Sequence, residues 1–114
     1  MTISEKIVSC FQSKQEQSFT SIEVVDMVLT RFPDTNRGSI MPADYCYNKT
    51  NKGNNFEFPF PLFEYENGIY KYLGPDFPYT GKAYWKGILI GEWIEGSYKL
   101  LHNSSDLDSF KKLD

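Results

Sequence analysis

The segment 62-LFEYENGIYKYL-73 constrains this chain more than any other. Two apolar, aromatic-rich runs flank Glu66-Asn67-Gly68. An Asn-Gly pair in that setting specifies a two-residue hairpin turn, because the favoured turn needs positive φ at both central positions. The pattern returns further on. Residues 82-KAYW-85 and 88-ILIGEWI-94 lie on either side of Lys86-Gly87, and 97-SYKLL-101 follows Glu95-Gly96. The second half of the chain is therefore expected to be antiparallel β.

The first half has a helical period. Residues 4–14 place Ile7, Val8 and Phe11 on one face, with Ser4 as the expected N-cap. Residues 20–32 form a second expected helix. Thr20 and Glu23 fit a capping box, and Ile22, Val25, Met27, Val28, Leu29 and Phe32 supply its buried side. Pro33 ends it, since the residue before proline is pushed out of helical φ/ψ. In 34-DTNRGSIMPADYCYN-48, Asp34 or Thr35 would cap a third helix starting at Asn36. Pro42 limits that helix to a turn or two, or opens a second short turn at its first position. Residues 48–55 read as a polar loop, and 105–114 as a short C-terminal helix capped by Ser105.

With 114 residues, 40% of them hydrophobic, the chain suits one domain with a real core. No apolar run is long enough to span a bilayer, and the N-terminus lacks the pattern of a secretory signal, so a cytoplasmic setting is expected. Cys10 and Cys46 are then free thiols. Two cysteines and His102 do not make a tetrahedral zinc site without carboxylates, so neither metal nor cofactor is expected. The net charge of −3 weighs against indiscriminate nucleic-acid binding. Its distribution is uneven. Residues 31–60 carry a net +1 and both arginines of the chain, Arg31 and Arg37, while the flanking parts are acidic.

Catalytic patterns fail on their constellations. Gly68-Ile69-Tyr70, with Tyr84-Trp85-Lys86 further on, loosely matches the triplets that name the GIY-YIG nucleases. That family needs an arginine on the helix after the second triplet. Here no arginine follows Arg37, and 88–94 reads as strand. Lysine does not replace arginine's bidentate grip on phosphate. Glu92 and Glu95, three apart on a strand, point to opposite faces. Cys10 and His102 are a conceivable nucleophile and base, but Cys10 lies on the apolar side of its helix. A non-enzymatic role is expected.

Two helices, a short third one opening with Thr35-Asn36-Arg37, and an aromatic hairpin follow the order of a winged helix-turn-helix. The segment 32-FPDTNRGSI-40 resembles the start of the recognition helix in small winged domains attached to bacterial restriction and HNH-type nucleases. Residues 41-MPADYCYN-48, followed by 62-LFEYENGIYKYLG-74, resemble an uncharacterised prokaryotic domain family found alone or beside such nucleases. The resemblance covers about residues 5–74. It implies an α+β fold with a winged-helix core of three N-terminal helices and a hairpin wing over 4–74. A further antiparallel β-hairpin, a strand and the C-terminal helix would extend that core over 75–114. It also implies DNA as partner, in a bacterium, archaeon or phage.

The residue chemistry agrees with that partner. Arg37 suits guanine and Asn36 suits adenine in a major groove. Thr35 and Ser39 suit phosphate. Lys49 and Lys52 in the polar loop and Lys71 on the wing would add phosphate contacts. Tyr45 and Tyr47 are expected in the core rather than stacked on a base. A second reading is a protein-interaction module, for instance a phage inhibitor of a bacterial defence enzyme, acting through an acidic and aromatic surface.

Overall fold

The computed structural model describes residues 1–50 and 61–101. Two α-helices, α1 (Ile3–Phe11) and α2 (Ser21–Arg31), precede two 3-10 turns, Arg37–Ser39 and Pro42–Tyr45. Seven strands accompany them: β1 (Ser18–Thr20), β2 (Lys49–Thr50), β3 (Phe63–Glu66), β4 (Ile69–Tyr72), β5 (Gly81–Trp85), β6 (Ile88–Ile94) and β7 (Ser97–Leu100). They form two sheets. The first is antiparallel in the order β1-β4-β3, and the second runs β2-β5-β6-β7, with β2 parallel to β5.

Both helices begin with a reciprocal capping box. In α2 the Glu23 amide donates to Thr20 Oγ1 at 3.2 Å, and the Thr20 amide donates to Glu23 Oε1 at 2.8 Å. In α1 the same device uses Thr2 and Glu5, so the cap falls two residues before the expected Ser4. Ser4 is buried and bonds to Thr2 Oγ1. Ile22, expected on the buried side of α2, is 64% exposed. Val25 and Val28 face the core as expected, Val24 joins them, and Met27, Leu29 and Phe32 pack partly buried against it. Among the described residues, no helix is long and apolar enough to cross a membrane.

The winged-helix core is not what the chain builds. Its third helix is replaced by the two 3-10 turns, and strands of two sheets are interleaved with the helices. Pro42 is the physical reason. Met41 before it is extended (φ −119°, ψ 92°), as pre-proline sterics require, and Ile40 is extended as well. A continuous helix from Asn36 to Tyr45 is thereby cut in the middle, leaving no recognition helix. The segment expected as a polar loop also contributes β2. The expected C-terminal helix lies outside the described residues.

The three X-Gly turns form as read. Asn67-Gly68, Lys86-Gly87 and Glu95-Gly96 all have positive φ at both positions, between 49° and 84°. These are type I′ geometries, which match the right-handed twist of the flanking strands.

Two apolar clusters result. In the first, α1 and α2 pack on the first sheet through Ile7, Phe11, Val24, Val28, Phe63 and Tyr72. The second sheet gathers Tyr47, Leu73, Tyr79, Ala83, Ile90 and Trp93. Residues 45–50 join the two. Tyr47 donates its amide to Phe63 O (2.8 Å) and its hydroxyl to Gly74 O (2.7 Å). Its carbonyl accepts from Trp93 Nε1 (2.8 Å), and its ring stacks on Tyr79 at 4.9 Å. Asn48 serves both sheets. Its side chain donates to Tyr65 O (2.7 Å) and accepts from Tyr65 N (2.9 Å), while its carbonyl accepts from Tyr84 N (3.0 Å).

Burial sets an alkaline limit on this fold. It pushes Cys46, Tyr70 and Tyr98 each up to about 12, and raises Tyr79 as well. Between the ordinary values, 9.0 for cysteine and 10.0 for tyrosine, and those raised ones, the unfolded chain gives up protons that the folded chain keeps. Their contribution to stability is therefore complete below pH ~9 and is lost as pH rises toward ~12. Thermal midpoints measured from neutral pH upward should hold to about pH 9 and then fall. Tyrosinate absorbance from the buried rings should appear together with unfolding. Buried tyrosines that ionise near pH 10 with the fold intact would contradict this.

Candidate functional site

The sequence-derived candidates separate into three places. Thr35, Asn36, Arg37 and Ser39 lie in and before the first 3-10 turn and are engaged locally. Thr35 Oγ1 accepts from Lys6 Nζ at 2.9 Å, and Asn36 Oδ1 accepts from the Gly38 amide at 2.8 Å. Arg37 pairs with Asp26 at 3.3 Å, both side chains being 59% exposed. An ion pair in that setting contributes little to stability. It does place a carboxylate against the one cation of this group.

Lys71 lies on the outer face of β4, in register with Ser18 on one side and Glu64 on the other. It shares a groove of about 390 Å³ with Glu64, Glu66 and Ile69. Its charge is outweighed there by two carboxylates, so the expected phosphate contact from the wing meets an acidic face. Glu64 also accepts from Tyr79 OH at 2.8 Å. Lys52 lies outside the described residues.

Lys49 is placed differently. It belongs to β2, and its ammonium sits 4.3 Å from the centre of the Tyr65 ring, a cation–π geometry. Tyr65 pairs with Tyr70 on the inner face of the first sheet, so Lys49 and Lys71 serve opposite faces. Around Lys49 opens a cleft of about 430 Å³. Asn48, Lys49 and Thr50 line its base, Tyr65, Glu66 and Asn67 one wall, and Tyr84, Lys86 and Gly87 the other. The walls are the tips of two hairpins from two different sheets.

β2 brings those tips together. It pairs Lys49 with Tyr84 and Thr50 with Trp85, while Asn48 holds Tyr65. Lys86 occupies the first left-handed position of its turn, with its ammonium 5.2 Å from the Trp85 ring. Tyr84 is 39% exposed. Among the described residues, two lysines and two tyrosines thus line one concavity, with one carboxylate, Glu66, at its edge. Sequence reasoning found Lys49 but missed Tyr65, Asn67, Tyr84 and Lys86. The X-Gly pairs located both hairpin tips; nothing local in the sequence says that the tips meet.

Among the described residues, the candidate catalytic groups Glu92, Glu95 and Cys10 belong to separate elements. Glu92 faces Lys82 and Lys99 across the second sheet, and Glu95 sits in a turn. Burial raises the Cys10 thiol, which contacts Met27 O at 3.7 Å. His102 lies outside the described residues. Among the described residues, no three His, Cys, Asp or Glu side chains gather as a metal site.

No solved structure matches this chain. It is similar to a Bacillus subtilis (strain 168) protein named "Uncharacterized protein YnaC", with 38% identity over 103 residues. The match covers 84% of this chain and 38% of that protein, so the chain spans well under half of its relative's length. The family model described as "Domain of unknown function (DUF7225)" matches residues 2–100, and the chain belongs to that family.

Proposed function

We propose that the chain is a non-enzymatic nucleic-acid-binding module whose contacts are made by the cleft between the two hairpin tips. One observation carries this reading: Lys49, Lys86, Tyr65 and Tyr84 all line a single concavity. Cations that take phosphate, beside rings that take bases, are the combination by which proteins hold single strands without sequence preference. The reading moves the contact surface away from Thr35, Asn36, Arg37 and Ser39, where Arg37 is paired with Asp26. It also accommodates the acidic balance of the chain, since two local cations suffice for a small, salt-sensitive affinity.

The test is fluorescence anisotropy of a labelled 15-nucleotide single strand at about 50 and 200 mM salt, a range in which phosphate contacts show themselves. Two phosphate contacts on a single strand predict a loss of roughly sevenfold over that range. Glu66→Gln should tighten binding about threefold, because it removes a nearby like charge from the ligand. No saturable binding at ~100 μM protein, where a modest electrostatic site would already show itself, would refute the proposal.

The alternative, a protein-interaction module, draws on the acidic groove around Glu64 and Glu66 and on the exposed Ile94 of β6 and Leu100 of β7. Its natural partner is basic. Glu66→Gln would weaken such a partner, so this one substitution gives opposite signs for the two readings.

A further inference from the structure

We infer that the cleft seats one nucleotide of an unpaired strand, with the base on Tyr84 and the adjoining phosphate between Lys49 and Lys86. The inference rests on the nucleic-acid reading and specifies its ligand.

Three observations lead to it. The first is size. About 430 Å³ lies within the range of small-molecule sites and suits one nucleotide unit. The second is the ring. Tyr84 pairs with Leu89 on the outer side of β5 and stays partly exposed at the cleft wall. A duplex keeps its base faces stacked inside, so only an unpaired base offers a face to such a ring. The third is charge placement. Lys49 comes from the base and Lys86 from the far wall, while Glu66 stands on the wall opposite Lys86. Lys49 holds its ammonium over Tyr65, on the Glu66 wall, so it is Lys86 on the far wall that draws a phosphate away from Glu66. Asn67 adds a donor and an acceptor at the same wall, which a base edge can use.

Lys86 supplies a clean variant. It holds a left-handed conformation (φ 50°) at the turn position where asparagine is favoured. Lys86→Asn thus removes the ammonium and keeps the turn. Tyr84→Leu keeps an apolar side chain on an exposed strand face and removes the ring.

The experiment compares a labelled ten-nucleotide oligothymidylate with a duplex of the same length, and adds thymidine monophosphate as competitor. The single strand should bind about tenfold or more tighter than the duplex. Tyr84→Leu should weaken it about tenfold, as expected for one lost base stack, with the salt slope unchanged. Lys86→Asn should lower that slope by about 0.7, the share of one phosphate contact. Equal binding of strand and duplex, with Tyr84→Leu silent, would overturn the seat and leave the nucleic-acid reading standing. Absence of binding to either would overturn both. Competition by the monophosphate at the strand's own concentration would keep the seat but assign it to a free nucleotide instead of a strand.

Discussion

Tyr47→Ala is expected to lower stability by about 3–5 kcal/mol, the range for removing a large buried side chain. That is a large part of what a domain of this size has to lose. Tyr47 is 1% exposed, belongs to the second apolar cluster, and is tied through its amide to Phe63 of the first. Its ring stacks on Tyr79 and meets Trp93 edge-on at 5.1 Å. Its hydroxyl donates to Gly74 O and accepts from the Phe77 amide at 3.2 Å, fixing the link that leads from the first sheet into the second. Truncation leaves a cavity and deprives the Gly74 carbonyl and the half-buried Phe77 amide of their partner. Tyr47→Phe separates these effects. It keeps the rings and removes only the hydroxyl, for a cost of about 1–3 kcal/mol. Urea titrations followed by tryptophan fluorescence, which reports on Trp93, would measure both. Equal losses for the two variants would mean that the hydroxyl, and not the packing, holds the sheets together.

Gly91→Ala is the second large effect, at about 1–3 kcal/mol. Gly91 is buried in β6, opposite Ala83 on one side and Leu100 on the other. The Tyr98 ring lies across it. A Cβ built at position 91 would sit 2.6 Å from Tyr98 Cζ and 2.7 Å from Cε1, well inside contact distance. Tyr98 has little room to retreat, because its ring packs on Trp93 at 5.1 Å. The cause is thus a steric clash, and a double-mutant cycle checks it. In a Tyr98→Ala background, Gly91→Ala should cost close to nothing, giving a coupling of about 1–3 kcal/mol. If the cost persists there, the glycine is needed for its backbone and not for the space above it.

The local parts of this fold were readable in the sequence. Thr20 and Glu23 announced α2, Pro33 its end, and three X-Gly pairs announced three hairpins, because each signal acts within a few residues of itself. The errors came where the chain is organised over distance. Pro42 showed that a third helix would be short, yet the aromatic hairpin and the two preceding helices favoured the winged-helix order. What Pro42 does is remove the recognition helix altogether. β1 and β2 have three and two residues and are held by partners far along the chain, so neither carries a pattern of its own. Lys49 was recognised as a cation in a polar segment. That it would lie over Tyr65 and share a cleft with Lys86 follows from the pairing of β2 with β5, which no local rule encodes.

Asn48 also decides how freely the cleft can change shape. A two-residue parallel strand has little of its own to oppose slippage. Sliding β2 by one position along β5 would turn Lys49 to the opposite side of the sheet and carry the Asn48 amide out of reach of Tyr65. Because that amide donates to and accepts from the Tyr65 backbone at once, such a slip forfeits two hydrogen bonds in the other sheet. The spacing between the hairpin tips is thereby settled before any ligand arrives. On the proposed reading the cleft is preorganised, and the cost of arranging Lys49 and Tyr84 is met during folding instead of during binding.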